Sequence, residues 1–464
     1  MSETPSEHAA NPTPAMPEPD ENTENRTMPP IPDDLPRKVL FLESGVGFGG
    51  SILSLADLIR GFRELAQDGA AAEIETVVVS HLPESITDGL FPFSEVIRVP
   101  IALSYRTRWR FEGFLNRHAL LRSTRSGWLK LYSAADRVHD QYLISRITGI
   151  AKKRGVELLH LNNGFTHPGI MAARRLGIPC VAHLRGFVGR NWKRIDERYG
   201  DWIWDTLTCS IGVSEAVSQG IRDLGVPQER IRAIHNPIAH EGFEMNGDVG
   251  LDVRRTFGIP EENVVASVFG RLTPWKGQWE FLQGIRTVVE DCEKLSVMIV
   301  GDESDAPGQR YLKAVRALAE EPPLKGRVIF TGYQKEVARF FRATDIMVHC
   351  SIEPEPFGRT VPEGMASGCA VIGMDEGGPQ EVITHGEDGW LVPPRDPEAL
   401  GEAVRTLYHD PELRERLARK GRKTVERRLS PRRHARKVMA CYSSESQPSV
   451  TPGIISSSSR ISSR

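Results

Sequence analysis

At 464 residues the chain is longer than a single hydrophobic core normally grows, so two domains are expected. Hydrophobic residues make up 39% and charged residues 26%, and the two signs nearly cancel to a formal charge of −2. This composition excludes a global attraction to nucleic acid or acidic lipid, leaving charged partners to local patches.

Residues 1–36 contain many Pro, Glu, Asp, Asn and Thr and few large apolar side chains. They are expected to form a disordered tail, because too little apolar surface is present to offset the entropy of ordering. From residue 37, short apolar runs alternate with longer helical patterns. The first run, Lys38–Glu43, leads through a glycine loop into an amphipathic stretch, Ile52–Leu65. Further strands are expected at Thr76–Ser80, Leu158–Leu161, Cys180–Leu184, Leu207–Ser214 and Ile231–Ile234. A second series covers Val264–Gly270, Ser296–Gly301, Val328–Gly332, Ile346–Ser351 and Ala370–Met374. Continuous apolar strands separated by helices read as parallel sheets covered on both faces, and two such series imply two doubly wound α/β units. The seam is expected at His235-Asn236-Pro237-Ile238, where an Asn-Pro turn ends a strand. The domains are therefore read as 37–237 and 238–430, followed by a terminal helix at 431–442 and a Ser-rich, disordered tail at 443–464.

The six cysteines, at 180, 209, 292, 350, 369 and 441, show no C-x-x-C spacing. Buried thiols in a reducing compartment are expected rather than a zinc or dithiol site. No apolar run approaches the roughly 20 residues needed to span a bilayer, and no secretory signal pattern opens the chain. A cytoplasmic location is expected, with peripheral contact at the inner membrane face as an added option.

Three clusters carry chemistry. Gly45-Val46-Gly47-Phe48-Gly49-Gly50 lies between a strand and a helix, where bare amides and a helix start can hold an anion. A tight strand-to-helix turn accounts for it equally well when it is taken alone. Gly270-Arg271-Leu272-Thr273-Pro274-Trp275-Lys276-Gly277 places two cations five residues apart on one turn, where they can converge on a diphosphate. The third cluster runs from Glu353 to Gly368 after the strand Ile346–Ser351. Pro362 suits a first helical turn and Gly368 a helix end, so Glu355 falls in the loop and Glu363 in the first turn. Both carboxylates then stand at the carboxyl edge of a parallel sheet, where open α/β folds bind ligands. They can accept hydrogen bonds from sugar or ribose hydroxyls, while Phe357 and Gly358 can offer backbone N–H groups.

Together these residues resemble the retaining glycosyltransferases of family 4, which share the GT-B architecture of two Rossmann-like domains facing across a cleft. The resemblance covers roughly residues 38–440 and rests above all on the Glu-x7-Glu pair, Glu355 and Glu363, inside EPFGRTVPEGMASG. It implies that Arg271 and Lys276 contact the donor diphosphate, that Glu355 is associated with the transferred sugar and Glu363 with the ribose. It also implies that Gly47, Gly49 and Gly50 close over the phosphates, with Arg359 and Thr360 completing the donor loop. His183, in VAHLRGF, looks like the family's histidine near the donor sugar, which gives a catalytic group of Glu355, His183, Arg271 and Lys276. Gly377–Glu381 and Gly389–Pro393 look like the family's loop and strand of the second domain, and the terminal helix is expected to cross back to the first. Pro362-Glu363-Gly364 departs from the family, which more often has a better helix former than glycine there.

The implied reaction transfers a sugar from a nucleotide-diphosphate sugar to a glycan or lipid-linked acceptor, in polysaccharide or glycolipid biosynthesis. No cofactor is expected, and no Asp-x-Asp stands at a strand end to bind a metal. Domain closure about Pro237 is a further expectation. The alternatives are a catalytically silent nucleotide-sugar-binding protein and another GT-B enzyme, such as a nucleotide-sugar epimerase. Residues 105–130 carry seven Lys/Arg and a single acid, with Trp109, Phe111, Phe114 and Trp128 interleaved. The segment suits an anionic membrane surface, or else a solvated helical hairpin over the acceptor cleft. No motif supports nucleic-acid binding.

Overall fold

The computed structural model describes residues 28–43, 49–87, 89–99, 125–164, 166–188, 202–243, 248–302 and 306–443. Its first sheet is formed by β1 (Lys38–Glu43), β2 (Glu75–Ser80), β3 (Ser94–Arg98), β4 (Leu158–Asn162), β5 (Cys180–Leu184), β6 (Cys209–Gly212) and β7 (Ile231–Ala233). Its second sheet is formed by β8 (Val264–Phe269), β9 (Leu295–Val300), β10 (Val328–Gly332), β11 (Ile346–Val348), β12 (Ala370–Met374) and β13 (Trp390–Val392). The strand orders are β3-β2-β1-β4-β5-β6-β7 and β10-β9-β8-β11-β12-β13, and every strand pairing is parallel. Both are doubly wound sheets whose order reverses beside the first strand, and ligands of such folds sit in the crevice outside that reversal. Here the crevices lie between the carboxyl ends of β1 and β4, where Glu43 pairs with Asn162, and of β8 and β11.

The apolar runs form strands because both of their faces are covered. Val39, Phe41, Val78 and Val181 pack on one side of the first sheet, and Leu40, Leu42, Val79 and Leu159 on the other. The edge strand β3 is absent from the sequence reading. Its SEVIR sequence carries two charges and no fully buried residue, so it lacks the continuous apolar signal of its neighbours. Ile31 and Leu35 pack against the first layer and Pro36 is buried, so residues 28–36 belong to the fold and not to a tail that extends to residue 36. Residues 1–27 and 444–464 lie outside the described residues, as does most of the basic aromatic segment, 105–124.

Six helices position the site: α1 (Gly50–Gln67), α2 (Arg125–Arg154), α3 (Glu215–Arg222), α4 (Thr360–Ala366), α5 (Pro411–Arg428) and α6 (Pro431–Met439). The predicted crossover is present. Ser430 caps α6 through its side chain, and α6 then packs on α1 of the first domain. The outgoing and returning chains touch where they cross, Ile238 N–H donating to the Leu429 carbonyl at 2.8 Å. No helix among the described residues is long and apolar enough to cross a membrane.

The docking of α6 depends on a missing side chain. A Cβ on Gly61 would come within 2.1 Å of the Pro431 carbonyl oxygen and 2.8 Å of Ala435 Cβ. Gly61→Val is therefore expected to push α6 off α1 and lower stability by about 1–3 kcal/mol, the usual range for overpacking. Urea unfolding of the two proteins measures the difference, and an unchanged midpoint contradicts this account of the docking.

Candidate active site

The turn that carries Lys276 is fixed by backbone contacts. Gly277 has φ +73, and a Cβ there would lie 1.8 Å from the Cys350 carbonyl oxygen, so a bare α-carbon allows the turn to rest on the end of β11. Ile352 N–H donates to the Trp275 carbonyl at 2.9 Å, and the Cys350 thiol donates to the Lys276 carbonyl at 3.3 Å. Pressed there, the Lys276 ammonium forms an ion pair with Glu355 Oε1 and lies 4.2 Å from the Trp275 ring centroid.

Glu355 is held equally firmly. Ser351 Oγ donates to its Oε1 at 3.1 Å, and His349 Nε2 lies 3.7 Å from the same oxygen. Behind it, Gly378 N–H donates to the Glu355 carbonyl at 2.8 Å, and Gly377 (φ +67) sits where a Cβ would be 2.5 Å from that carbonyl. Burial alone raises the Glu355 pKa. Hydrogen bonding from His349 and the Lys276 charge outweigh it and leave the carboxyl at about 2. Glu355 is thus an ionised acceptor at neutral pH, suited to receive hydroxyl hydrogen bonds and unable to donate a proton.

Glu363 and Arg359 form a second group, which joins the domains. Arg359 Nε donates to Glu363 Oε1 at 3.0 Å, while its two terminal nitrogens reach Ser54 Oγ at 2.7 Å, the Pro237 carbonyl at 3.1 Å and Asp57 Oδ2 at 3.5 Å. Arg359, expected on the donor, is here a strut from α4 to α1. Gly50 has no side chain where Arg359 passes, since a Cβ would lie 2.8 Å from Arg359 Cδ, whereas the space over Gly49 is open. Burial raises the pKa of Glu363, opposed by Arg359. Thr360 opens α4, Pro362 and Glu363 lie in its first turn, and Gly368 (φ +81) follows its end, as the sequence implies. The departure at Gly364 has a packing cause: a Cβ there would lie 3.0 Å from Met347 Cγ on β11.

Arg271 stands exposed at the start of the Lys276 turn, with no ion pair among the described residues. Phe357 is buried in the core, 5.7 Å from the His235 ring, so only its backbone is available to a ligand. Gly47 lies outside the described residues.

His183 requires a correction. Its side chain is fully buried on the α1/α6 face of the first sheet and does not open onto the crevice. His183 Nδ1 lies 3.3 Å from His160 Nε2, and its ring stacks on His434 of α6 at 5.7 Å. His160 Nδ1 meets the Tyr442 hydroxyl at 2.7 Å, and His434 Nδ1 meets the His235 carbonyl at 2.8 Å. Strand alternation is the reason, because His183 points to the same side as Val181. The residue that continues past the end of β5 is Arg185. Its Nε and one terminal nitrogen donate to Asn162 Oδ1 at 3.1 and 3.0 Å, and another donates to Asn236 Oδ1. Asn162 in turn donates to Glu43, which also accepts from Ser51 at 3.3 Å.

The sequence reading missed Glu43, Asn162, Arg185, His349 and Ser351. Each is a polar residue within or just past the carboxyl end of an apolar strand, and that position was their available signal. Glu381 is another. Its carboxylate accepts the Glu215 and Ala216 amides at the start of α3, at 2.8 and 3.1 Å, and contacts His235 Nε2 at 2.9 Å. Burial raises its pKa, but the His235 contact and the two amides lower it further. Among the described residues, no group of three His, Cys, Asp or Glu side chains is placed to hold a metal.

The sequence profile described as glycosyl transferases group 1 matches residues 252–424, and the one described as glycosyltransferase family 4 matches residues 124–241. Trehalose synthase of Pyrococcus horikoshii is 30% identical over 203 residues, which is 43% of this chain and 48% of that protein. The lipopolysaccharide core biosynthesis glycosyltransferase LpsE of Rhizobium meliloti is 30% identical over 225 residues, 48% of this chain and 59% of that one. The chain thus spans about half the length of these curated relatives. Anabaena Alr3699/HepE, solved in complex with UDP, superposes with a TM-score of 0.67 at 20% identity, covering 87% of this chain and 98% of that one. At that identity the likeness establishes the fold, two Rossmann-like domains of GT-B type.

The buried histidines give a pH prediction. Desolvation, followed by the Arg185 charge, holds His160, His183 and His434 well below the usual imidazole range in the folded state. Above about pH 6.5 folded and unfolded chains are both neutral there, and below it only the unfolded chain takes up protons. Stability is therefore expected to fall with pH by up to about 1.4 kcal/mol per unit for each imidazole. Urea midpoints from pH 7.5 to 5.5 should show a shallower slope in His434→Phe, and an identical slope would remove His434 from the account.

Proposed function

We propose that the chain, whose residues 124–241 and 252–424 match the family 4 and group 1 glycosyltransferase profiles, transfers a sugar, with retention of configuration, from a nucleotide-diphosphate sugar to a glycan or lipid-linked acceptor. The observation that carries this reading is the Lys276–Glu355 pair at the carboxyl edge of the second sheet, locked by Gly277 against the Cys350 carbonyl. The lipopolysaccharide role in the name of one relative supports a glycan or glycolipid acceptor.

In this scheme the bond between the sugar C1 and the diphosphate oxygen breaks, and the nucleotide diphosphate leaves with the bonding electrons. Lys276 and the exposed Arg271 meet the developing negative charge in a site whose donors are already oriented. Glu355, ionised and acceptor-only, takes hydroxyl hydrogen bonds from the sugar and fixes its orientation. Glu363 offers its second oxygen to the ribose, the first being occupied by Arg359. The acceptor hydroxyl attacks C1 from the face the diphosphate leaves, and its proton passes to the leaving phosphate oxygen. No carboxylate nucleophile is then required. The side-chain cations fill the place that a divalent metal takes in other transferases, so metal-independence is part of the proposal.

Incubation with a panel of nucleotide sugars is expected to show slow donor hydrolysis. Lys276→Ala should reduce its kcat by about 10²–10³-fold, the loss typical of one stabilising donor, and excess EDTA should leave the wild-type rate unchanged. Proton NMR of the first-formed product should report the anomeric configuration of the donor. A Lys276→Ala enzyme with the wild-type rate, or an inverted first product, overturns the scheme.

A further inference from the structure

Residues Arg414–Lys437 are rich in basic side chains. The end of α5 and the start of α6 enclose a groove of about 570 Å³ whose walls carry Lys423, Arg427, Arg432, Arg433 and Arg436. Among the described residues one acid, Glu426, lines it, and that carboxylate is already hydrogen-bonded to Arg422 Nε at 3.0 Å. The other described lining residues are Ser430 and two apolar ones, Leu65 of α1 and Met28.

This arrangement stores repulsion. Lys423 and Arg427 are like charges one turn apart on α5, as are Arg432 and Arg436 on α6, and such pairs destabilise a helix. Arg432 and Arg433 also occupy the first turn of α6, the end at which the helix dipole disfavours cations. Relief from within the chain is partial: Arg432 pairs with Asp68, and Arg427 and Arg433 have partners of their own, but Lys423 and Arg436 have no ion pair among the described residues. Arg436 is half-buried, and its Nε is withdrawn from solvent without an acceptor. A buried charged donor left unpaired calls for an explanation, and an anion supplies one.

We propose that this groove is a binding site for a ligand bearing two or more phosphate groups, separate from the sugar-transfer cleft. Each phosphate offers up to two charges and three acceptor oxygens in a geometry that matches guanidinium forks, which a single carboxylate does not. The volume is that of a small-molecule site, and Leu65 and Met28 provide an apolar wall for the rest of the ligand. Such a ligand contacts α5, which packs on the helix bearing Glu363, and α6, which packs on the first domain.

The test uses the full chain in two arms: calorimetric titration with tripolyphosphate, and cosedimentation with vesicles containing cardiolipin, whose headgroup carries two phosphates. Wild-type protein is expected to bind saturably in at least one arm. The double variant Lys423→Gln/Arg436→Gln should bind at least tenfold more weakly there, whereas Arg416→Gln/Arg419→Gln removes the same charge elsewhere on α5 and should not. Loss in the tripolyphosphate arm identifies a soluble ligand, and loss confined to vesicles identifies a lipid headgroup. Wild-type binding in neither arm, or equal binding by the two double variants, overturns the proposal. Should the first variant fail to fold, protection of Lys423 from acetylation by tripolyphosphate in the wild-type protein decides the matter by mass spectrometry, and unprotected Lys423 counts against the site. Lys276→Ala leaves the groove intact, so this result stands apart from that of the donor-hydrolysis assay.

Discussion

The contact between Lys276 and Glu355 depends on a backbone approach that no side chain could share. Lys276 arrives on a turn after β8 and Glu355 on a loop after β11, and these strands are neighbours in the second sheet. Strand pairing alone would leave the two loops free to splay. Gly277, at positive φ and in van der Waals contact with the Cys350 carbonyl, presses them together. Gly377 and Gly378 do the same from behind, against Glu355 and Phe357. In that half-dry pocket the His349 hydrogen bond and the Lys276 charge outweigh burial and keep Glu355 ionised. Everything proposed for sugar transfer starts from that charged pair held in a fixed geometry.

Much of this was legible in the sequence, for a physical reason. Parallel strands buried on both faces leave continuous apolar runs, and those runs located eleven of the thirteen strands among the described residues from side-chain type alone. The edge strand β3 escaped because an edge is only half-covered and tolerates charge. In the second domain the chemistry lies within short loops, so spacing reveals it: Glu355 and Glu363 are eight residues apart, and Gly277 adjoins Lys276. In the first domain the polar residues come from β1, β4, β5 and the seam, and meet only in three dimensions. The misplacement of His183 shows the limit. Residues two apart on a strand share a face, so position decides: His183 is paired with Asn162 inside β5, whereas Arg185 lies past its carboxyl end and reaches Asn162 and Asn236.

The two domains are joined by charge as well as by chain. Arg359 reaches from α4 to Ser54, Asp57 and the Pro237 carbonyl, and Glu381 reaches the first amides of α3 and His235. Both side chains belong to the loops and helix starts at the carboxyl edge of the second sheet. Glu363 is tied to the first of these struts through Arg359, so the carboxylate assigned to the ribose is mechanically part of the domain junction. Ligand contact at Glu363 and the relative placement of the domains thus draw on one set of hydrogen bonds, which is the condition for the two to be energetically linked.

The crossing of the outgoing and returning chains at Ile238 and Leu429 has its own consequence. One connecting segment would let two lobes swivel about every axis, as on a ball joint. Two segments lying side by side and hydrogen-bonded to each other act as a leaf strap, pliant in one direction and stiff against twist and shear. A strap of that kind favours a hinge-like opening, as of a book along its spine, over twist between the lobes.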